Sequence, residues 1–158
     1  TAPATQRQRA WAIADIPEQH LTEELLARLL ASASIEQYLD EGLVSARTLT
    51  DYLFDRMEAH GLKRADVVRA SGLNATVVYD IFSGKSRPGR DHAIMLAFGL
   101  KCTLRETQRL LRLAGVSELW CKQRRDAIII WCIRNGFDRI ATDDELYRMG
   151  EATLLPAD

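Results

Sequence analysis

The chain has 158 residues, of which 47% are hydrophobic and 27% charged, and its formal net charge is −1. A chain of this size and composition can bury a core without disulfides or metals, which excludes a disordered tail or a cross-linked miniprotein. No apolar run reaches the roughly 20 residues that span a bilayer, so we expect no membrane partner. The chain opens at Thr1 rather than Met and shows no secretory signal pattern, from which we expect a trimmed protein.

The cysteine pattern argues against cross-links and metal sites. The chain has three cysteines, an odd number, and they are widely spaced with no Cys-x-x-Cys pair: Cys102, Cys121 and Cys132. The three histidines are isolated from one another and from the cysteines. We therefore predict no disulfide, no metal and no cofactor, and a reducing cytoplasmic location. The sequence also lacks a glycine-rich phosphate loop and a Gly-x-Ser-x-Gly motif, so we expect no enzyme activity.

Charge is unevenly distributed along the chain. Residues 1–60 carry five basic and ten acidic side chains, a net of −5. Residues 61–92 carry a net of +3, and residues 93–158 a net of +1. Because exposed charges act over only about 8–10 Å at ordinary salt, the positive middle segment can attract phosphate in a nearly neutral protein.

The first predicted helices follow an N-terminal arm. Residues 1–16 hold one small apolar patch, which predicts a loosely docked arm. Thr22 is a favourable cap for a helix over residues 23–30, which has two glutamates in its first turn. A capping-box pattern opens a short helix over residues 34–40, and Gly42 interrupts it.

Five helices are predicted in the middle of the chain from caps, apolar spacing and glycine stops, over residues 49–60, 64–71, 75–83, 92–99 and 103–115. Asn74 is a favourable cap for the third of these, and Gly84 ends it. A capping-box pattern that begins at Thr103 opens the fifth.

The C-terminal third contains one ambiguous segment. Residues 127–133 are rich in isoleucine and fit either a strand that ends at Asn135-Gly136 or a buried helix with a glycine C-cap. We favour a helix over residues 124–135, because no second strand follows. A capping-box pattern at residues 142–145 predicts a last helix to Met149. The predicted fold is therefore all-α.

The helix over residues 75–83 has two unlike faces. Its apolar face consists of Val78, Ile81 and Phe82. Its opposite face is small, polar and mostly neutral, and it consists of Thr76, Tyr79, Asp80 and Ser83. Together with the helix over residues 64–71 and the turn at Gly72, it forms a helix-turn-helix pattern. Short polar side chains at this place can reach base edges in a major groove.

Basic residues flank that helix on both sides. Lys63 and Arg64 precede the pair, and Lys85, Arg87 and Arg90 follow it. We predict that these five contact the phosphates on either side of a groove. A charge run is more often a solvated surface, and residues 84–89 also fit an ordinary loop, so the prediction depends on the helix pair.

A known family shows the same pattern of residues. The run over residues 62–74, with Val78, Ile81, Gly84-Lys85 and Pro88, resembles the helix-turn-helix of the lambda-repressor/Cro class of bacterial regulators, the xenobiotic-response-element type. The resemblance implies a five-helix domain over residues 48–115. It also implies base contacts from Asn74, Ala75, Thr76 and Tyr79, and phosphate contacts near Lys63, Arg64 and Lys85.

Two residues depart from that family pattern. Val68 stands where a small residue is usual, which alters how the two helices pack. Asp80 lies on the face proposed for DNA, where a carboxylate accepts a hydrogen bond from cytosine but repels phosphate. With Asp80 and Ser83 included, the candidate base contacts are Asn74, Ala75, Thr76, Tyr79, Asp80 and Ser83.

We therefore predict three regions: an arm with short helices over residues 1–47, a DNA-binding domain over 48–115 and a helical extension for packing or dimerisation over 116–158. The predicted function is sequence-specific binding of double-stranded DNA by a homodimeric transcriptional regulator, located at the nucleoid of a bacterium. The alternative is a protein-interaction adaptor, or an antitoxin-like partner binder, that reuses the helix-turn-helix to bind a protein. Residues 1–47 or 116–158 are further candidate surfaces for a protein partner. Exposure of Trp120 and Trp131 would mark such an interface.

Overall fold

The computed structural model describes residues 18–40 and 48–156, which are all-helical and contain no strand, as the sequence predicts. The helices in chain order are α1 (Glu18–Ala31), α2 (Ile35–Asp40), α3 (Leu49–Ala59), α4 (Arg64–Ser71), α5 (Ala75–Phe82), α6 (Arg90–Gly99), α7 (Leu104–Leu113), α8 (Arg124–Arg134) and α9 (Arg139–Arg148). The predicted arm over residues 1–16 and the predicted interruption at Gly42 lie outside the described residues.

The chain divides into two compact units, Thr1–Ala46 and Arg47–Asp158. In the first unit, α1 packs against α2. The cap predicted at Thr22 is wrong, because α1 already begins at Glu18 and Thr22 lies within it. Residues 18–21 contain no glycine or proline, so nothing in the sequence prevents the helix from starting earlier. The start predicted for α2 is confirmed, since Ser34 Oγ accepts a hydrogen bond from Gln37 N over 3.1 Å.

In the second unit, α3 packs against α5 and α7, α4 packs against α5 and α6, and α6 packs against α7. One cluster of buried apolar side chains fills the space between these helices and continues into α8 and α9. Its largest fully buried members include Leu53, Phe82, Leu96, Leu111, Ile129 and Leu146. Burial of each such side chain contributes about 1.5–3 kcal/mol, so this cluster is the main stabilising element of the unit.

Gly99 brings α4 and α6 into unusually close contact. A Cβ atom at Gly99 would lie 2.8 Å from Val67 O and 2.9 Å from Ser71 Cβ. Ser71 is fully buried there, and its hydroxyl donates to Val68 O over 3.1 Å and accepts from Leu73 N over 3.2 Å. Because its polar group is satisfied locally, Ser71 can lie in the contact without a desolvation penalty.

The ambiguous C-terminal segment is helical, as predicted. Asn135 and Gly136 end α8, and Gly136 has a φ of 75° that suits a glycine C-terminus. The start predicted for the last helix is wrong, because α9 begins at Arg139. Asp138 caps it by accepting from Ala141 N over 2.8 Å, whereas Thr142 is fully buried inside the helix.

Two reciprocal ion pairs join the start of α6 to the start of α8. Arg90 donates to both carboxylate oxygens of Asp126, over 3.0 and 2.6 Å. The next residue, Asp91, accepts from both terminal nitrogens of Arg125, over 2.9 and 3.1 Å. These pairs are bidentate and partly buried, which makes them stronger than ordinary surface ion pairs. They attach the C-terminal helices to the helix that follows residues 84–89.

Candidate nucleic-acid interface

The position of α5 follows from the residues at its start. Gly72 ends α4 with a left-handed φ of 78°, and Asn74 turns the chain into α5. The side chain of Asn74 accepts from Thr76 N over 2.7 Å, which satisfies one of the free N–H groups of the new helix. Val78, Ile81 and Phe82 are buried, so the opposite side of α5 faces outward.

The predicted base contacts occupy that outward side. Tyr79 is 45% exposed, and Asp80 is half-buried. The remaining four are exposed, and they are Asn74, Ala75, Thr76 and Ser83. The side chains of α8 and α9 leave Thr76 and Tyr79 accessible. The structure therefore brings the predicted residues together on one accessible face that carries a single carboxylate.

Arg64 and Tyr79 form a contact that sequence reasoning missed. The guanidinium carbon of Arg64, at the start of α4, lies 5.2 Å from the ring centroid of Tyr79 on α5. Both side chains are exposed. A cation over an aromatic face at this distance contributes about 0.5–1 kcal/mol at an exposed site. The two residues are on different helices, so no local spacing in the sequence indicates the pair.

The other predicted phosphate contacts stand at the two ends of the helix pair. Lys63 is exposed before α4, where its backbone N–H donates to Asp66 Oδ2 over 2.9 Å. Lys85 and Arg87 are exposed in the loop after α5. That loop is held in place because the backbone N–H of Lys85 donates to Asp80 O over 2.9 Å and Pro88 is buried.

Arg90 does not face outward with the others. Its side chain is 27% exposed, and its guanidinium donates to Asp126, to Ser117 O and to Glu118 O. A phosphate would have to compete with a bidentate carboxylate for these nitrogens. We therefore leave Arg90 out of the interface and assign it to the attachment of α8.

One further carboxylate near the interface is neutralised locally. Asp66 accepts from Lys63 N and pairs with Arg69 over 2.6 Å. The backbone hydrogen bond from Lys63, followed by the charges of Arg69 and Lys63, lowers the pKa of Asp66. Asp66 therefore stays ionised and offsets Arg69, which leaves Lys63 and Arg64 as the net charge at this end of the helix pair.

Two features, a group of metal ligands and a membrane-spanning helix, are absent from the part of the chain that the structure describes. Within residues 18–40 and 48–156, no three His, Cys, Asp or Glu side chains are grouped so that they could hold a metal ion. No helix in these ranges is long and apolar enough to cross a membrane.

Large apolar side chains are exposed on the C-terminal helices and before them. Trp120 and Trp131 are 54% and 52% exposed, and Ile140 and Tyr147 on α9 have larger exposed fractions than either tryptophan. The rings of Trp131 and Phe137 pack edge to face, with centroids 5.3 Å apart. We refer to five residues as the C-terminal apolar group: Trp120, Trp131, Phe137, Ile140 and Tyr147.

Comparison of the chain with known protein families, with curated proteins and with solved structures finds no match.

Proposed function

We propose that the protein binds double-stranded DNA with α5 in the major groove and acts as a transcriptional regulator of the lambda-repressor/Cro class. The observation that carries the proposal is the accessible, mostly neutral face of α5 between two exposed pairs of cations, Lys63–Arg64 and Lys85–Arg87. Five helices, α3 to α7, occupy the region for which the resemblance to that class implies a five-helix domain. The outward side chains of α5 other than Tyr79 are short, which lets the helix approach base edges closely.

The flanking cations supply the affinity that is independent of sequence. Each phosphate that a cation neutralises steepens the salt dependence of binding by about 0.9 in the logarithmic slope. Phosphate contacts from Lys63, Lys85 and Arg87 in each half-site, with the positive charge of Arg64 beside them, would give strongly salt-dependent binding. Specific affinities of such domains are on the order of 10⁻⁸–10⁻¹¹ M at physiological salt.

Selection from random-sequence duplex, followed by footprinting, tests the proposal directly. We expect one enriched site with two-fold symmetry and half-sites about 34 Å apart. Arg87→Ala should weaken binding to every sequence and flatten the salt slope by about 1, whereas Thr76→Ala should change the preferred sequence. Arg134→Ala on α8 removes the same charge outside the interface and is the matched control. Absence of any enriched site at low salt would contradict the proposal.

A second candidate function is protein binding through the C-terminal apolar group, which would also provide the homodimer. The observation that favours it is the exposure of Trp131 and Ile140, since aromatic side chains are enriched at protein interfaces relative to the rest of the surface. The double substitution Trp131→Ala and Ile140→Ser should lower the molar mass measured by light scattering from dimer to monomer. A wild-type protein that stays monomeric at high concentration would refute the homodimer and favour a different protein partner.

Asp80 distinguishes DNA binding by α5 from the alternative in which the helix pair itself binds a protein partner. If α5 enters a groove, Asp80→Asn should increase affinity for duplex of any sequence, because it removes a negative charge close to phosphate. If α5 instead binds a protein partner, the substitution leaves duplex binding unchanged and weak.

A further inference from the structure

We propose that Arg64 reads a guanine base rather than a phosphate, and that Tyr79 holds it in the reading position. The inference rests on the proposed DNA binding and names the residue that fixes one position of the site. It starts from the contact between the Arg64 guanidinium and the Tyr79 ring, at 5.2 Å.

The position of Tyr79 decides where Arg64 points. Tyr79 lies on the outward side of α5, one turn after Thr76 on the face that would enter the groove. A guanidinium stacked on that ring is therefore at the face that reads bases, although its own backbone is on α4. Lys63, Lys85 and Arg87 are exposed and remain available for the flanking phosphates.

The chemistry of α5 leaves a role for such a residue. Apart from Tyr79, the exposed side chains of its outward face are short, and its half-buried charged group, Asp80, is a hydrogen-bond acceptor. None of them can donate two parallel hydrogen bonds to one base. Arginine does so, because its planar guanidinium matches the O6 and N7 acceptors of guanine.

Arg64 also keeps its donors free for a ligand. Among the described residues no carboxylate pairs with it, in contrast to Arg69 and Arg90, whose guanidinium groups pair with Asp66 and Asp126. The Tyr79 ring lies under the Arg64 guanidinium and restricts its position without accepting hydrogen bonds from its N–H groups. A side chain held in this way loses less conformational entropy when it binds.

The experiment compares four variants on the site selected by the wild-type protein. Arg64→Ala removes the guanidinium, and Arg64→Lys keeps the charge but not the planar fork. Tyr79→Leu removes the ring, and Tyr79→Phe keeps the ring but removes the hydroxyl. We expect wild type and Tyr79→Phe to keep an invariant guanine at the position that Arg64 contacts, whatever the loss of the hydroxyl changes elsewhere in the site. Arg134→Ala on α8, outside the interface, is the control and should select the wild-type site. Arg64→Ala, Arg64→Lys and Tyr79→Leu should accept other bases at that position.

A chemical change in the DNA tests the contact itself. Replacing that guanine by 7-deazaguanine removes the N7 acceptor and leaves base pairing intact. Wild-type affinity should fall by between about 5-fold and about 100-fold, whereas Arg64→Ala should bind both duplexes equally. Circular dichroism should be unchanged in all variants, since both residues are exposed. The thermal midpoint should fall by no more than about 1–4 °C where the contact, which contributes about 0.5–1 kcal/mol, is lost.

The outcomes separate the inference from the proposed function. If a site is enriched but Arg64→Ala weakens every sequence equally, and 7-deazaguanine has no effect on wild type, Arg64 contacts phosphate and the inference is refuted while DNA binding stands. If no site is enriched for the wild-type protein, both are refuted.

Discussion

Arg90 and Asp126 connect the two halves of the second unit through a buried carboxylate. Asp126 is 2% exposed, and it accepts from both terminal nitrogens of Arg90 and from Trp120 N over 2.9 Å. Burial raises the pKa of this carboxyl group. The hydrogen bonds from Arg90 and Trp120 and the charges of Arg90 and Arg125 lower the pKa by more than burial raises it, so the pKa lies below its usual range. The ionised form of Asp126 is therefore part of the folded structure.

Asp126→Asn should lower the free energy of unfolding by about 3 kcal/mol, because a half-buried guanidinium loses its counter-charge. Arg90 keeps some solvent contact, which places the loss at the lower end of the range for buried pairs. Urea unfolding followed by circular dichroism measures it. Asp144→Asn, at an exposed position of α9, should leave the midpoint unchanged. Equal loss in both variants would contradict the role of the pair.

Acid should weaken the fold through the same group. The pKa of Asp126 is lower in the folded than in the unfolded protein, so its contribution is complete above the unfolded-state pKa of about 4. That contribution is lost as pH falls through the lower, folded-state pKa. The stability of wild type should therefore fall more steeply than that of Asp126→Asn between about pH 5 and about pH 3. Parallel curves over this range would show that Asp126 is not the titrating group.

Gly72→Ala should destabilise the protein more than Gly61→Ala. Both glycines have left-handed φ angles, 78° and 64°, so each alanine costs about 1–2 kcal/mol in backbone strain. Nothing lies within 4 Å of a Cβ at Gly61, whereas a Cβ at Gly72 would be 2.6 Å from Arg139 Nε. Arg139 is buried and pairs with Asp143 over 2.7 Å, so it cannot move freely. We expect an additional loss of at least about 1 kcal/mol, measured by urea unfolding. Equal losses would mean that Arg139 moves aside.

Asn74→Ala should reduce the free energy of unfolding by about 1 kcal/mol, because the N–H of Thr76 loses its acceptor. Asn74→Ser keeps an acceptor at the same position and should restore most of that stability. Thermal unfolding of the two variants beside wild type tests this. A Ser variant as unstable as the Ala variant would show that the cap is not what stabilises α5.

Thiol reagents should distinguish the three cysteines. Cys121 is exposed, whereas Cys132 is buried. Cys102 is half-buried, and burial raises the pKa of its thiol to about 12. The thiolate is the reactive form, so Cys102 should be inert near neutral pH. Native protein should show one fast-reacting thiol, and Cys121→Ser should abolish that phase. All remaining thiols should react only after unfolding; a second fast thiol in the native protein would contradict this.

Local signals predicted most of the helices but not the contacts between them. The capping box from Thr103 to Glu106 is present as predicted, because both partners lie within one turn. The same Glu106 also pairs with Arg56 and lies 3.3 Å from His60 Nε2, both on or just after α3. These partners are about fifty positions away in the chain, and no local pattern indicates them.

The errors at helix starts have one physical cause. A capping residue in the sequence predicts a helix start only if no better start precedes it. Thr142 is a possible cap, but Asp138 lies one turn earlier, and Thr142 is buried within α9.

The position of Arg90 after the basic loop predicts a phosphate contact, but Arg90 pairs with Asp126, and this pairing depends on how α8 packs. Tertiary packing, rather than local propensity, decides both cases.

The contact at Gly99 has a consequence for related sequences. Since a Cβ there would meet the Val67 carbonyl and Ser71, even alanine would force α4 and α6 apart. A saturation library at this codon, screened for folded protein, should return glycine almost exclusively. A chain that carries a larger residue at the equivalent place must cross these two helices at a wider spacing, which would change the tilt of the following helix, α5, relative to α6.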